Sequence, residues 1–439
     1  MKYIRLVILF ICFVPLFSNA QTEALRAGPM LTFTEMREVG VWLQTREPST
    51  VMIEYSNPVA ESSFTTRTKE IVTTDENFGI AKFEIGLLEP GTTYSYTIYL
   101  NGSPIASESP LTFTTQPLWQ QRTGPPNFSL AIGSCAYVNE KKYEWPGKLY
   151  GSGYEIFESI YEKRPDAMLW LGDNVYLREP DWYSRSGIFH RYSHTRSLPE
   201  LQPLLASCPH YAIWDDHDFG PDDSNGSFVQ KDLTKEAFNA FWSDDYMIFP
   251  DGGITQQFRF GDMDFFLLDN RWWRTDPDLA EGKKQMLGKE QIDWLILALK
   301  SSSAPFKFVA VGGQVLNDHV VYENYSNFAK EREELLKRID ENNIQNVIFL
   351  TGDRHKTELS KLEMENVTLY DFTCSPLTSK AYDFNNEKNS LSLERTQVAQ
   401  RNFGILEFSG TEENRKTTIR VFDSEGEELW SEEIFTVRQ

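Results

Sequence analysis

DAMLWLGDNVY, residues 166–176, reads as a buried strand that ends on a carboxylate. Ala167 to Leu171 form an unbroken apolar run, the pattern of a strand covered on both faces. Gly172 breaks it, so the run delivers Asp173 to the open edge of a sheet. Tyr176, three residues on, can reach the same point. A carboxylate placed there can bridge two cations through its two oxygens, and a phenolate suits a hard, charge-dense ion such as Fe(III). A Gly-Asp pair after a strand also marks a turn or a helix cap, so the assignment depends on what recurs elsewhere in the chain.

Three further segments repeat the pattern: FSLAIGSC (128–135), YAIWDDHD (211–218) and NVIFLTGDRH (346–355). Each carries potential ligands just beyond an apolar run. The second packs Asp215, Asp216, His217 and Asp218 together, a crowding of acids that is costly unless cations neutralise it. In the third, Asp353 and His355 alternate about the backbone, so both can face one site only where the turn bends. The first ends on Cys135, which alone would pass for a small buried residue. Soft, hard and borderline ligands brought together at several strand ends are what a two-metal hydrolytic centre requires. There is no G-x-S-x-G nucleophile turn and no phosphate-cradling glycine loop.

The rest of the chain sets the frame. Its 439 residues suffice for two domains, and 40% hydrophobic and 14% aromatic content allows substantial cores. The formal charge of −21 argues against non-specific nucleic-acid binding and requires an anionic substrate to be attracted locally. Residues 1–20 read as a cleavable secretory signal: Lys2 and Arg5, an apolar stretch from Leu6 to Phe17, and Ser18-Asn19-Ala20. This predicts a periplasmic or secreted protein with no transmembrane segment in the mature chain. Cys135, Cys208 and Cys374 remain, an odd number that leaves at least one thiol unpaired. Cys208 and Cys374 could pair or could be two buried thiols.

Short alternating strands with turns between them run from about 27 to 117 and predict an all-β sandwich, its tyrosines packing the core. Residues 118–127, LWQQRTGPPN, read as a linker. From 128 to 439 apolar strands alternate with amphipathic helices such as YEIFESIYEKR, KEAFNAFWSDD, KEQIDWLILALKSS and NFAKEREELLKRIDENN, which predicts α/β layers. A second set of strands closes the chain.

Taken together, the four segments resemble the calcineurin-like metallophosphoesterase superfamily and, within it, the secreted alkaline phosphatase D family. LLDNRWWR (267–274), MLGKEQIDWL (286–295), FAKEREELL (328–336) and DFTCSPLTS (371–379) support the resemblance, and LEPGTTYSYTIYLNG is similar to the fibronectin-type-III-like module that precedes such catalytic domains. The resemblance implies a four-layer α/β/β/α metallophosphoesterase sandwich behind that module. It implies Cys135, Asp173, Tyr176 and His355 around Fe(III), and Asp173 bridging to an all-oxygen site with Asp216 and Asp353 that favours Ca²⁺. His217 would stabilise the transition state or protonate the leaving oxygen. Arg271 is a candidate for gripping phosphate oxygens, with a structural pairing to Asp269 as its alternative. Tyr192 and Asp222 are weaker substrate-binding candidates. Gln314, in Gly312-Gly313-Gln314, stands where other branches carry a histidine ligand. The expected activity is hydrolysis of phosphate mono- or diesters by a monomer. The competing class is a surface- or carbohydrate-binding protein with structural metals, which would have no need of His217.

Overall fold

The computed structural model describes residues 24–437 apart from 58–64, 108–109, 145, 148, 244–245 and 386. The secretory signal expected at residues 1–20 lies outside the described residues. No helix among the described residues is long and apolar enough to cross a membrane.

An all-β, fibronectin-type-III-like unit comes first. One sheet joins the strands Leu25–Thr34, Val39–Thr45 and Ile80–Ile85. The other is built on Thr50–Ser56 and Thr93–Leu100, with short partners. The alternation along TYSYTIYL buries Tyr94, Tyr96 and Ile98 between the two sheets. Tyr94 stacks on Phe113 at 5.3 Å, so these tyrosines fill the core.

The α/β unit that follows holds two six-stranded mixed sheets. In the first, the strands Phe128–Gly133, Ala167–Leu171 and His210–Ile213 run parallel. The closing strands Asn402–Ser409, Lys416–Asp423 and Glu428–Phe435 extend that sheet antiparallel. In the second, Met263–Leu267, Lys307–Val311, Val347–Thr351 and Thr368–Thr373 run parallel. Gln256–Phe260 and Glu358–Glu363 form its antiparallel edges. Leu130, Ile132 and Leu169 share one core with Phe265, Phe308 and Leu350 of the second sheet. On the second sheet's outer face Phe266, Val309 and Phe349 pack under the helices Lys289–Ser301 and Ala329–Glu341 through Leu295, Leu299, Leu335 and Ile339. Ile156, Phe157, Leu204 and Leu205, on Ile156–Glu162 and Gln202–Ser207, belong to the first core. The parallel strands are mostly apolar because both their faces are covered, with Asp264, Lys307, Asp371 and His210 as buried exceptions.

The helix Arg185–Arg196 has no amphipathic signature in its sequence. It buries polar side chains instead: Arg191 is held by Asp181 and Glu140, and Ser193 accepts from Gln44. Ser184 caps it by accepting from the Gly187 backbone N–H at 3.1 Å. Tyr192, expected as a substrate contact, sits on this helix with its ring stacked on Phe241 at 5.1 Å and is buried in the core. It has no route to a substrate. Cys135, Cys208 and Cys374 are all free and buried, so Cys208 and Cys374 are not paired.

The sandwich does not hang from the α/β unit. Met30, Phe33 and Trp42 belong to the same core as its two sheets. Trp42 donates its indole N–H to the Ala240 carbonyl at 2.9 Å, and Gln116 both donates to the Arg259 carbonyl and accepts from the Gly261 N–H.

Candidate metal centre

The four strand ends converge. One delivers Asp216 and His217 in the short helix Asp216–Phe219. The other three turns carry ligands on left-handed backbone: Cys135 at φ 59°, Asp173 at 51°, and Asp353 at 65° with His355 at 53°. Such a conformation is unfavourable for a side-chain-bearing residue, and a cluster of it points to a functional constraint. It supplies the bend that brings Asp353 and His355 to the same site. Backbone bonds pin the turns to one another: Cys135 N–H to the Gly172 carbonyl, Ala136 N–H to Asp173, and Gly352 N–H to Gly312. Glycine is required at 172, where φ is 92° and a Cβ would lie 2.8 Å from that of Asp215.

Cys135, Asp173 and His355 present donor atoms within 4.8 Å of one another. The Tyr176 hydroxyl lies 3.1 Å from Asp173 Oδ2 and 3.2 Å from His355 Nε2. His355 Nδ1 lies 2.7 Å from the Lys380 carbonyl, and a carbonyl can only accept. That fixes the proton on Nδ1 and leaves the Nε2 lone pair facing the cluster, the tautomer a ligand needs. Ser375 and Ser379 donate to Cys135 Sγ at 3.1 Å and to the Tyr176 oxygen at 3.0 Å. These bonds favour the anionic thiolate and phenolate.

Asp215, Asp216 and Asp353 form a second cluster, and Asp173 joins Asp216 and His217 between the two. Asp353 Oδ2 and Asp215 Oδ2 are buried without a hydrogen-bond partner, a costly state for acceptors unless a cation meets them. Burial, aided by the other carboxylates, pushes Asp173 well above the usual acid range. Burial also drives up Asp353, Cys135 and Tyr176, and takes His355 down to about 4. Burial works against Asp216 too, but His217 and Arg271 hold it at about 2. Anionic ligands this crowded need positive charge at their centre, and the donor set fits that: sulfur, phenol, imidazole and carboxylate on one side, only oxygens on the other.

His217 sits at the exposed edge of the cluster, its Nε2 3.8 Å from Asp216 Oδ2. Its side chain is 25% exposed, its ring lies 4.2 Å from that of Tyr176, and its Nε2 is 3.5 Å from Asp222 on the open side. Asp222 is 81% exposed and is the only weaker candidate that reaches the centre.

Arg271 does not face substrate. Its guanidinium is fully buried, clamped bidentately by Glu323 at 2.7 and 2.6 Å and bonded through Nε to Asp215 at 2.6 Å. Asp269, its expected partner, accepts from the backbone N–H of Arg271 instead. Arg271 therefore braces the acids from behind. Gln314 is likewise structural, donating to Glu358 and Thr373. Sequence reading gave Asp215 and Glu323 no role; the first acid of WDDHD was a visible signal for one, and nothing local announces the other.

A model of the PhoD-like phosphatase family matches residues 130–419, and a domain family of unknown function matches residues 22–118. Alkaline phosphatase D of Bacillus subtilis (strain 168) is 24% identical over 330 residues, 63% of this chain. The chain spans about half, 53%, of that relative's length. Among solved structures, one of PhoD superposes with a TM-score of 0.74 at 18% identity, covering 95% of this chain and 92% of that one. A purple acid phosphatase from yellow lupin (Lupinus luteus) seeds gives 0.67 at 14% identity, covering 93% and 74%. These likenesses extend through the sandwich as well as the layered unit.

Proposed function

This chain belongs to the PhoD-like phosphatase family, and from that premise we propose that it is an exported, metal-dependent phosphoesterase that hydrolyses phosphate mono- or diesters. The convergence of Cys135, Asp173, Tyr176, Asp216, Asp353 and His355 on one centre, with two carboxylate oxygens left bare, carries the reading. Cys135, Tyr176 and His355 would hold iron, Asp216 and Asp353 calcium, with Asp173 between them. Bound there, the ions supply a hydroxide at neutral pH and neutralise phosphoryl charge.

The chain's own groups do the rest. Asp173, Asp216 and Asp353 fix the spacing at which a phosphoryl group is received. Ser375 and Ser379 donate to the Cys135 sulfur and the Tyr176 oxygen and so favour their charged, ligating forms against the burial that opposes them. His217 sits on the open side with Asp222 behind Nε2, where it can give a proton to the departing alkoxide at that atom. Arg354, whose Nη1 lies 3.8 Å from Asp353 Oδ2, adds local positive charge in an otherwise acidic protein.

Mature protein reconstituted with iron and calcium should hydrolyse 4-nitrophenyl phosphate or its bis-ester, and a chelator should stop it. Failure to turn over either ester would refute the reading. Cys135→Ser should lose iron and any thiolate-to-iron colour while keeping the wild-type circular dichroism spectrum. Unchanged iron content in that variant would remove Cys135 from the centre.

A further inference from the structure

Two exposed tyrosines flank the turn Asp353–His355, and no catalytic role uses them. Tyr382 lies parallel to the His355 ring, 5.2 Å away at an interplanar angle of 9°, and its own side chain is 47% exposed. Tyr150 secures it through a hydroxyl contact of 3.1 Å. On the other side Tyr322 is 76% exposed, with the Arg354 guanidinium 4.7 Å from its ring centroid. Tyr322 is also held at φ 45°, so its backbone is as constrained as those of the ligands. Arg354 is itself tied to Glu387, and its Nε is buried without a partner.

A single exposed ring is ordinary on a protein surface; what sets these two apart is that each is stacked on or against a residue of the Asp353–His355 turn. The two rings, one backed by an imidazole and the other by a guanidinium, present outer faces at the rim of a phosphate-directed site. Flat aromatic faces beside a cation suit a planar, electron-rich ring more than an alkyl chain or a bare polyol.

Resting on the phosphoesterase reading, we propose that Tyr322 and Tyr382 form a stacking rim for the nucleobase of a nucleotide-type phosphoester. The phosphate would go to the acidic centre and the base to the rim, with Arg354 between them.

The test compares esters matched in the type of leaving oxygen, a primary ribose alkoxide in one pair and 4-nitrophenolate in the other, and differing in whether they carry a base. Adenosine 5′-phosphate is set against ribose 5-phosphate, and thymidine 5′-(4-nitrophenyl phosphate) against methyl 4-nitrophenyl phosphate, on iron- and calcium-loaded protein. In whichever pair is cleaved, the base-bearing ester should be favoured in kcat/KM by about tenfold or more, the scale of one aromatic–base stack. Tyr322→Ala should erase most of that ratio while leaving the base-free ester's rate unchanged. Tyr322→Phe and Tyr382→Phe, which keep the rings, should retain it. A ratio near one in wild type, or a ratio that Tyr322→Ala leaves intact, overturns the proposal while the phosphoesterase reading stands. Turnover of none of the four esters, nor of the plain nitrophenyl esters, overturns both.

Discussion

Arg271→Ala should destabilise the fold by about 3–5 kcal/mol, the range for removing one partner of a buried ion pair. The substitution leaves Asp215 and Glu323 facing each other inside the protein, both stripped of a guanidinium that met them at 2.6 Å. Arg274 also bonds Glu323, at 2.8 Å, and recovers only part of the loss. Asp216 is affected as well, because Arg271 helps to keep it ionised. The measurement is urea unfolding of wild type and variant, followed by circular dichroism. A loss below 1 kcal/mol with KM for substrate sharply raised would instead mean that Arg271 grips phosphate, contrary to its burial.

His217→Ala should lower kcat by about 10²–10⁴-fold, the usual worth of a positioned general acid. Metal content and folding should stay at wild-type levels, because every buried donor remains and His217 is only partly buried. The loss should shrink for esters of acidic alcohols such as 4-nitrophenol, which leave without a proton, and be largest for alkyl esters. A uniform loss across leaving groups accompanied by metal loss would make His217 a ligand. A retained rate would remove it from catalysis.

Much of the centre was legible because its ligands follow a local rule. A strand covered on both faces is mostly apolar along its length, so a carboxylate just past its end stands out, as Asp173 does after AMLWL and Asp353 after VIFLT. The helices Lys289–Ser301 and Ala329–Glu341 were legible for a related reason, since each has one apolar face against the sheet. What escaped depends on partners distant in sequence. Whether Arg271 faces solvent or core is decided by Glu323, 52 residues away, and no pattern around DNRWWR announces it. Tyr192 misled because its helix buries charge paired elsewhere, which erases the apolar stripe that marks a core-facing residue. The rim tyrosines were invisible because exposure cannot be read from the strings YENYS and KAYDF.

The shared core between sandwich and layered unit bears on how this architecture can be inherited. Domains that meet through a thin polar linker can be shuffled by recombination, each part indifferent to its neighbour. Here Trp42 completes a wall of the layered unit's core and reaches the carbonyl of Ala240, and Gln116 braces the Arg259–Gly261 turn. A transplanted sandwich lacking those side chains would leave a hole in the layered unit, and a layered unit without its sandwich would expose what Met30, Phe33 and Trp42 now cover. The two halves are therefore structurally interdependent, so an exchange of either one has to carry its matching side chains across the seam.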